Sequence, residues 1–184
     1  MQVDLSKYNN DWFQIGASKI KLGFWFLIKG AVFMNPLFPF MGVKLTLLRW
    51  FGAKVGKDVV IKTSVNIKFP WNLTIGNNVW LGERVWIENQ GHVKLDDSVC
   101  LSQGATLMTG NHNYKKATFD LMVAPIHLQH GVWIGCNALV CPGLTIGEHA
   151  VLTVGSVAVK DLEPFGIYTG NPCVKTKQRQ IEAL

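Results

Sequence analysis

An aliphatic residue recurs at every sixth position along most of this chain. Val55, Ile61, Ile67 and Leu73 form a first run. After a two-residue slip, Ile75, Leu81 and Ile87 form a second, and Leu95, Leu101 and Leu107 a third. The period lapses over Met108–His127 and resumes at Leu128, Ile134, Val140, Ile146, Leu152 and Ala158. Glycine often follows the aliphatic residue, as at Gly56, Gly76, Gly82, Gly135 and Gly147. Four positions after it stands a small or β-branched residue, such as Val65, Val85, Ala105, Ala138 or Ser156. Neither the 3.6-residue helix nor the two-residue strand produces a period of six. A coil of three short strands and three corners does. The pattern predicts an all-β parallel β-helix with the aliphatic residue inward, and glycine, Asn and Asp at corners that need positive φ. Handedness does not follow from the pattern, since parallel crossovers are normally right-handed.

Stacked coils leave sheet edges at both ends, and those ends need covers. Residues 1–54 are expected to form a helical, apolar N-terminal cap. Residues 55–161 form the β-helix, with a protruding loop at 108–127. Residues 162–184 form a tail packed on the other end. Within the cap, Ile20–Val32 and the FMNPLFPFMGV that follows are strongly apolar, but Lys29 and two prolines interrupt them. A membrane span needs roughly 20 apolar residues, so this is not one. Two readings stay open: a helix lying on a membrane face with Lys19, Lys21 and Lys29 near headgroups, or a cover for one end of the domain.

With 184 residues, 48% hydrophobic and 16% charged, the chain supports one buried domain and is not disordered. Its net charge of +6 favours anionic partners. No helix-turn-helix, zinc finger or RNP motif points to nucleic acid. The four cysteines form no CxxC pair, and Met1–Asp11 is polar, so a cytoplasmic protein with reduced thiols is expected.

A long excursion from a regular solenoid is where chemistry tends to sit. This one contains Asn111-His112-Asn113-Tyr114. A neutral imidazole at His112 suits the removal of a proton from a hydroxyl as it attacks; the residues alone equally allow a solvated loop histidine. Asn89 at a corner is either a turn former or a substrate contact. Glu88 either orients a base, binds substrate or is solvated. Phe69, Trp71, Trp80 and Trp86 fit a sugar-stacking wall or ordinary packing.

The stretches SKYNNDW, TGNHNYKKATFDL, GVWIGCNALVCPGLTIG and VGSVAVKDLEPFGIYTGNPCVK carry a resemblance. From Val55 to Lys177 the chain resembles the hexapeptide-repeat acyltransferases, whose coils are left-handed. It is similar to the galactoside, maltose and nodulation acetyltransferases, and more so to the colanic-acid (WcaF-like) group. The resemblance implies an acetyl-CoA-dependent O-acetyltransferase that modifies the hydroxyl of a sugar or oligosaccharide, lipid-linked acceptors included, in exopolysaccharide biosynthesis. It implies His112 as the base and Asn89, Glu88, Asn111 and Tyr114 around the acceptor. It places Trp133, Cys136, Val154, Gly155, Ser156, Val159 and Lys160 along the cofactor, the Cys136 N–H facing the thioester carbonyl. This chain departs from the pattern at Val159, where relatives often have threonine, and at Val174, where galactoside enzymes have arginine. Lys175 or Lys177 would then meet the phosphates. It also lacks an insertion that carries an acceptor-binding aspartate. A homotrimer with sites between subunits is implied, with no metal, in the cytoplasm or at the inner face of the membrane. Two rivals stand beside this reading: a non-enzymatic β-helix scaffold, and a zinc carbonic-anhydrase-like enzyme, which would need three convergent histidines.

Overall fold

The computed structural model describes residues 2–182; residue 1 of the expected cap and residues 183–184 of the expected tail lie outside the described residues. The six-residue period folds into five three-sided coils and the start of a sixth. Face one stacks Lys54–Val55, Leu73–Ile75, Val93–Leu95, Ile126–Leu128 and Thr145–Ile146. Face two stacks Val60–Ile61, Trp80–Leu81, Cys100–Leu101, Trp133–Ile134 and Val151–Leu152. Face three stacks Asn66–Ile67, Trp86–Glu88, Thr106–Met108, Leu139–Val140 and Val157–Ala158. All these pairs are parallel and in register, so equivalent aliphatics form columns: Ile75, Leu95, Leu128 and Ile146 on face one, and Leu81, Leu101, Ile134 and Leu152 on face two. Each column is almost wholly buried, which is why the period tolerates only aliphatic residues there.

Glycine after the aliphatic residue serves a purpose other than positive φ. The positive-φ corner positions fall two residues later, at Asp58, Asn78, Arg84, Asn137 and His149. At Gly56 a Cβ would lie 2.5 Å from the Gly76 carbonyl, and at Gly135 it would lie 2.7 Å from the Thr153 backbone. These glycines let one coil's backbone approach the next. The expectation of positive φ there is corrected: space sets the residue.

The first coil's exposed edge is closed by helices α1 (Lys19–Ile28) and α2 (Met41–Trp50). The Ser18 side chain caps α1 by accepting from Lys21 N–H. A wider π turn, Lys29–Phe33, extends α1. One cap side chain serves each face. Arg49 donates to the Val55 and Gly56 carbonyls, Lys44 Nζ to the Lys62 carbonyl at 2.8 Å, and Trp25 Nε1 to the Ile67 and Lys68 carbonyls. A buried carbonyl left without a donor costs about 1–3 kcal/mol, so this cap stabilises the edge as well as hiding it. Lys44 is fully buried, and burial lowers its pKa.

At the other end the coil continues past Asp161. Leu162 bridges Ile146, and Gly166–Gly170 adds to face two beside Val151–Leu152. Cys173–Gln178 then returns antiparallel as the last strand of that face. Thus the segment from 162 supplies solenoid before it supplies a cover. Between the third and fourth coils, Gly110–His112 and Leu121–Val123 pair as an antiparallel hairpin that projects from the corner between faces three and one.

Candidate active site

The hairpin is anchored before it is functional. Buried Thr109 donates its hydroxyl to the Glu88 carbonyl at 2.7 Å and accepts from Gly91 N–H; Ala124 N–H donates to the Thr109 carbonyl. The N-terminal segment docks against it, with Asp4 N–H donating to Ala117 O at 2.8 Å. His112 lies in a cavity of about 310 Å³ with Leu5, Tyr8 and Phe119. Its ring stacks on Phe119 with centroids 4.4 Å apart and planes 6° apart. Its Nδ1 lies 2.9 Å from the Phe119 carbonyl. A carbonyl only accepts, so Nδ1 carries the proton and Nε2 of the neutral ring keeps a lone pair. Phe119 has φ of +50°, a strained conformation for a residue with a Cβ, and its carbonyl is the one that holds the imidazole. Tyr8, Leu5 and Phe119 escaped the sequence reading. SKYNNDW and TFDL were visible as motifs, but nothing local shows that they meet.

The other acceptor candidates separate. Asn111 lies on the hairpin, and its Oδ1 accepts from His112 N–H. Tyr114 stands exposed near the tip. Asn89 is fully buried: its Oδ1 accepts from Phe69 N–H, and its Nδ2 donates to the Phe69 and Asn72 carbonyls. In this structure its side chain fixes the Phe69–Asn72 corner. Glu88 is largely buried and pairs with Lys68, while its Oε2 has no partner among the described residues. The four aromatics form no single wall. Phe69 and Trp71 stack on each other at 5.2 Å, with Trp71 Nε1 donating to Ile15 O, whereas Trp80 and Trp86 are exposed on different faces.

A second group assembles at the corner between faces two and three. A cavity of about 390 Å³ is lined by Ser102, Gln103, Trp133, Gly135, Cys136, Thr153 and Val154 among others. Trp133 Nε1 donates to Ser102 Oγ at 2.9 Å, which fixes the indole along the wall. Gly135 and Asn137 spend their N–H groups on Leu152 and Gln103, but Cys136 N–H meets no acceptor among the described residues. Ala138 N–H closes a turn onto Gly135 O, and Asn137 has φ of +53°. Cys136 is thus the second residue of a type II turn. Burial raises the pKa of Cys100, Cys141 and Cys173.

Ser156 does not line this cavity. It is buried, its Oγ lies 3.0 Å from Thr153 Oγ1, and it accepts from Gly170 N–H, so its side chain holds the last turn in place. Gly155 follows Val154 at the cavity's corner and has φ of +65°. Val159 and Lys160 follow the strand Val157–Ala158 and lie toward the corner between faces three and one, on the hairpin's side. Lys175 pairs with Glu163 at 2.8 Å, which raises its pKa; Lys177 is exposed on the same strand.

The candidate residues therefore fall at two different corners of the triangle: the His112 imidazole at one, and an apolar groove with an unused N–H at the other. Among the described residues, no group of three His, Cys, Asp or Glu side chains stands close enough to hold a metal ion. His127 bonds Asp96, and His130 and His149 pack edge to face.

An oxyanion role for Cys136, which the resemblance implies, has a direct test. Pro142 occupies the equivalent turn position in the same coil, before Gly143 at φ of +82°. Cys136→Pro should therefore fit the turn and remove the N–H, with Cys136→Ala as the control for the lost thiol. We expect kcat to fall by about 10²–10³-fold in Cys136→Pro and by little in Cys136→Ala, at unchanged thermal midpoint, in steady-state kinetics.

No protein-family model matches this chain. WcaF of Escherichia coli (strain K12), assigned as a colanic acid biosynthesis acetyltransferase, is 33% identical over 164 residues, 89% of this chain and 90% of that protein. A solved hexapeptide-repeat acetyltransferase from Vibrio cholerae O1 biovar eltor, complexed with acetyl coenzyme A, superposes with a TM-score of 0.76 at 19% identity, covering 89% of this chain and 87% of that one. A galactoside acetyltransferase in complex with coenzyme A gives 0.76 at 24% identity over 86% of this chain and 80% of that one. The coil, the hairpin and the extent of the likeness to WcaF agree: this chain is a left-handed β-helix and belongs to the hexapeptide-repeat O-acetyltransferases, in the WcaF-like group.

Proposed function

We propose that this enzyme transfers an acetyl group from acetyl-CoA to a sugar hydroxyl during assembly of an exopolysaccharide of the colanic-acid kind. The observation that carries this reading is His112, held by the Phe119 carbonyl with Nε2 left as the base. In the reaction, Nε2 takes the proton from the acceptor hydroxyl as its oxygen attacks the acetyl carbonyl carbon. Cys136 N–H donates to the carbonyl oxygen as it gains charge. The C–S bond breaks, and the imidazolium returns its proton to the departing thiolate sulfur. Trp133 and Val154 pack the pantetheine arm, and Lys177 meets the phosphates in place of the arginine missing at Val174.

Because the base and the groove occupy different corners, one subunit's hairpin must meet its neighbour's groove. A closed trimer with three such interfaces satisfies both halves. The acceptor is carried on a lipid at the cytoplasmic face of the membrane. Support comes from the groove along face two, which runs on from the Trp133 cavity through one lined by Trp80, Lys62 and Glu83 to another lined by Met41 and Lys44 of the cap.

The test is CoA release from acetyl-CoA with a panel of sugar acceptors. Acceptor-dependent release supports the reading. A protein that neither binds nor turns over acetyl-CoA would favour a scaffold instead.

A further inference from the structure

Helix α1 is apolar on both sides. Trp25 and the following Phe33 are buried against the first coil. The opposite side presents Ile20, Gly23, Phe24, Leu27, Gly30, Ala31 and Met34, at i, i+3, i+4, i+7 spacing, without a single polar residue. The following turn and α2 expose further apolar side chains, Leu37, Phe40, Met41, Val43 and Trp50, with Leu27, Leu37 and Trp50 at 71%, 87% and 76% exposure. A surface of this kind marks an interaction site.

Charge identifies what it meets. From Trp12 to Lys57 there are seven Lys and Arg and no Asp or Glu, whereas the rest of the chain holds eleven basic and twelve acidic residues. The molecule's positive excess therefore belongs to this segment, most of which is the cap. Two copies of such a cap set face to face would repel each other. An anionic surface with an apolar layer beneath it would attract one. Lys29 Nζ lies 4.9 Å over the exposed Phe26 ring, the geometry of a lysine whose stem follows apolar surface. Among the described residues, no helix is long and apolar enough to cross a membrane, so the fit is to its surface.

We propose that residues 19–50 dock the enzyme on an anionic lipid bilayer. The α1 stripe and the Leu37–Met41 turn enter the acyl boundary, and Lys19, Lys29, Lys54 and Lys57 lie at the headgroups. This surface is separate from both half-sites, so docking and acetyl transfer can fail independently.

The experiment is flotation with phosphatidylcholine vesicles, with and without about one-third phosphatidylglycerol, for wild type and the triple variant Phe24→Ser, Leu27→Ser, Leu37→Ser. Wild type should float with the anionic vesicles, and less so on neutral ones or in 1 M salt, where the screening length falls to about 3 Å. The triple variant should keep its turnover on a water-soluble acceptor and lose vesicle partition by at least about tenfold. Wild type that stays unbound with anionic vesicles would overturn the proposal, as would a triple variant that floats equally well. A triple variant with a smaller assembly mass in ultracentrifugation would assign the surface to a second copy and overturn it too.

Discussion

His112→Ala is expected to lower acceptor-dependent CoA release by about 10²–10⁴-fold, the range that a positioned general base contributes. Binding of acetyl-CoA should persist, because the groove at Trp133 and Val154 lies at another corner of the coil. The loss should appear in kcat and kcat/KM together, since the proton moves only in the transition state. The imidazole makes one hydrogen bond, to the Phe119 carbonyl, and stacks on the Phe119 ring at the surface of the hairpin. Its removal should therefore cost little stability, and an unchanged thermal midpoint separates lost chemistry from lost fold. Full turnover in the variant would take the base role from His112. Circular dichroism and isothermal titration with CoA, measured on the same preparation, complete the comparison.

Much of the fold was legible because one physical demand repeats. Each coil must place an aliphatic residue inward on every face, so the period of six is written directly in Ile61, Ile67, Leu81, Ile87 and their successors. The excursion at 108–127 was legible for the same reason, as an interruption of that period. Other features depend on contacts between distant residues and leave no local trace. The use of Asn89 as a brace for Phe69 is one, since a corner asparagine reads alike whether it faces solvent or backbone. The docking of Leu5 and Tyr8 beside His112 is another, crossing more than a hundred residues. The glycine positions misled about cause: their spacing was plain, but only the stacked backbones show that the constraint is room for the next coil. Ser156, read as lining the cofactor groove, faces inward because Gly170 N–H needs an acceptor where the chain turns back.

The proposed trimer, with its site divided between two corners, has the second large consequence. Val154 is 69% exposed at the mouth of the groove, so Val154→Trp should fold and block the cofactor. Its base remains intact, while His112→Ala keeps an intact groove. Each homotrimer should be inactive, by loss of a different half. In any trimer containing both variants, one of the three interfaces joins an intact base to an intact groove, whichever variant is present twice. The most direct measurement is to co-express the two variants with different tags, purify the mixed assembly through both tags in sequence, and assay CoA release. Such mixed trimers should show about one-third of wild-type turnover per trimer. Mixed assemblies as inactive as either parent would contradict a site shared between neighbouring subunits.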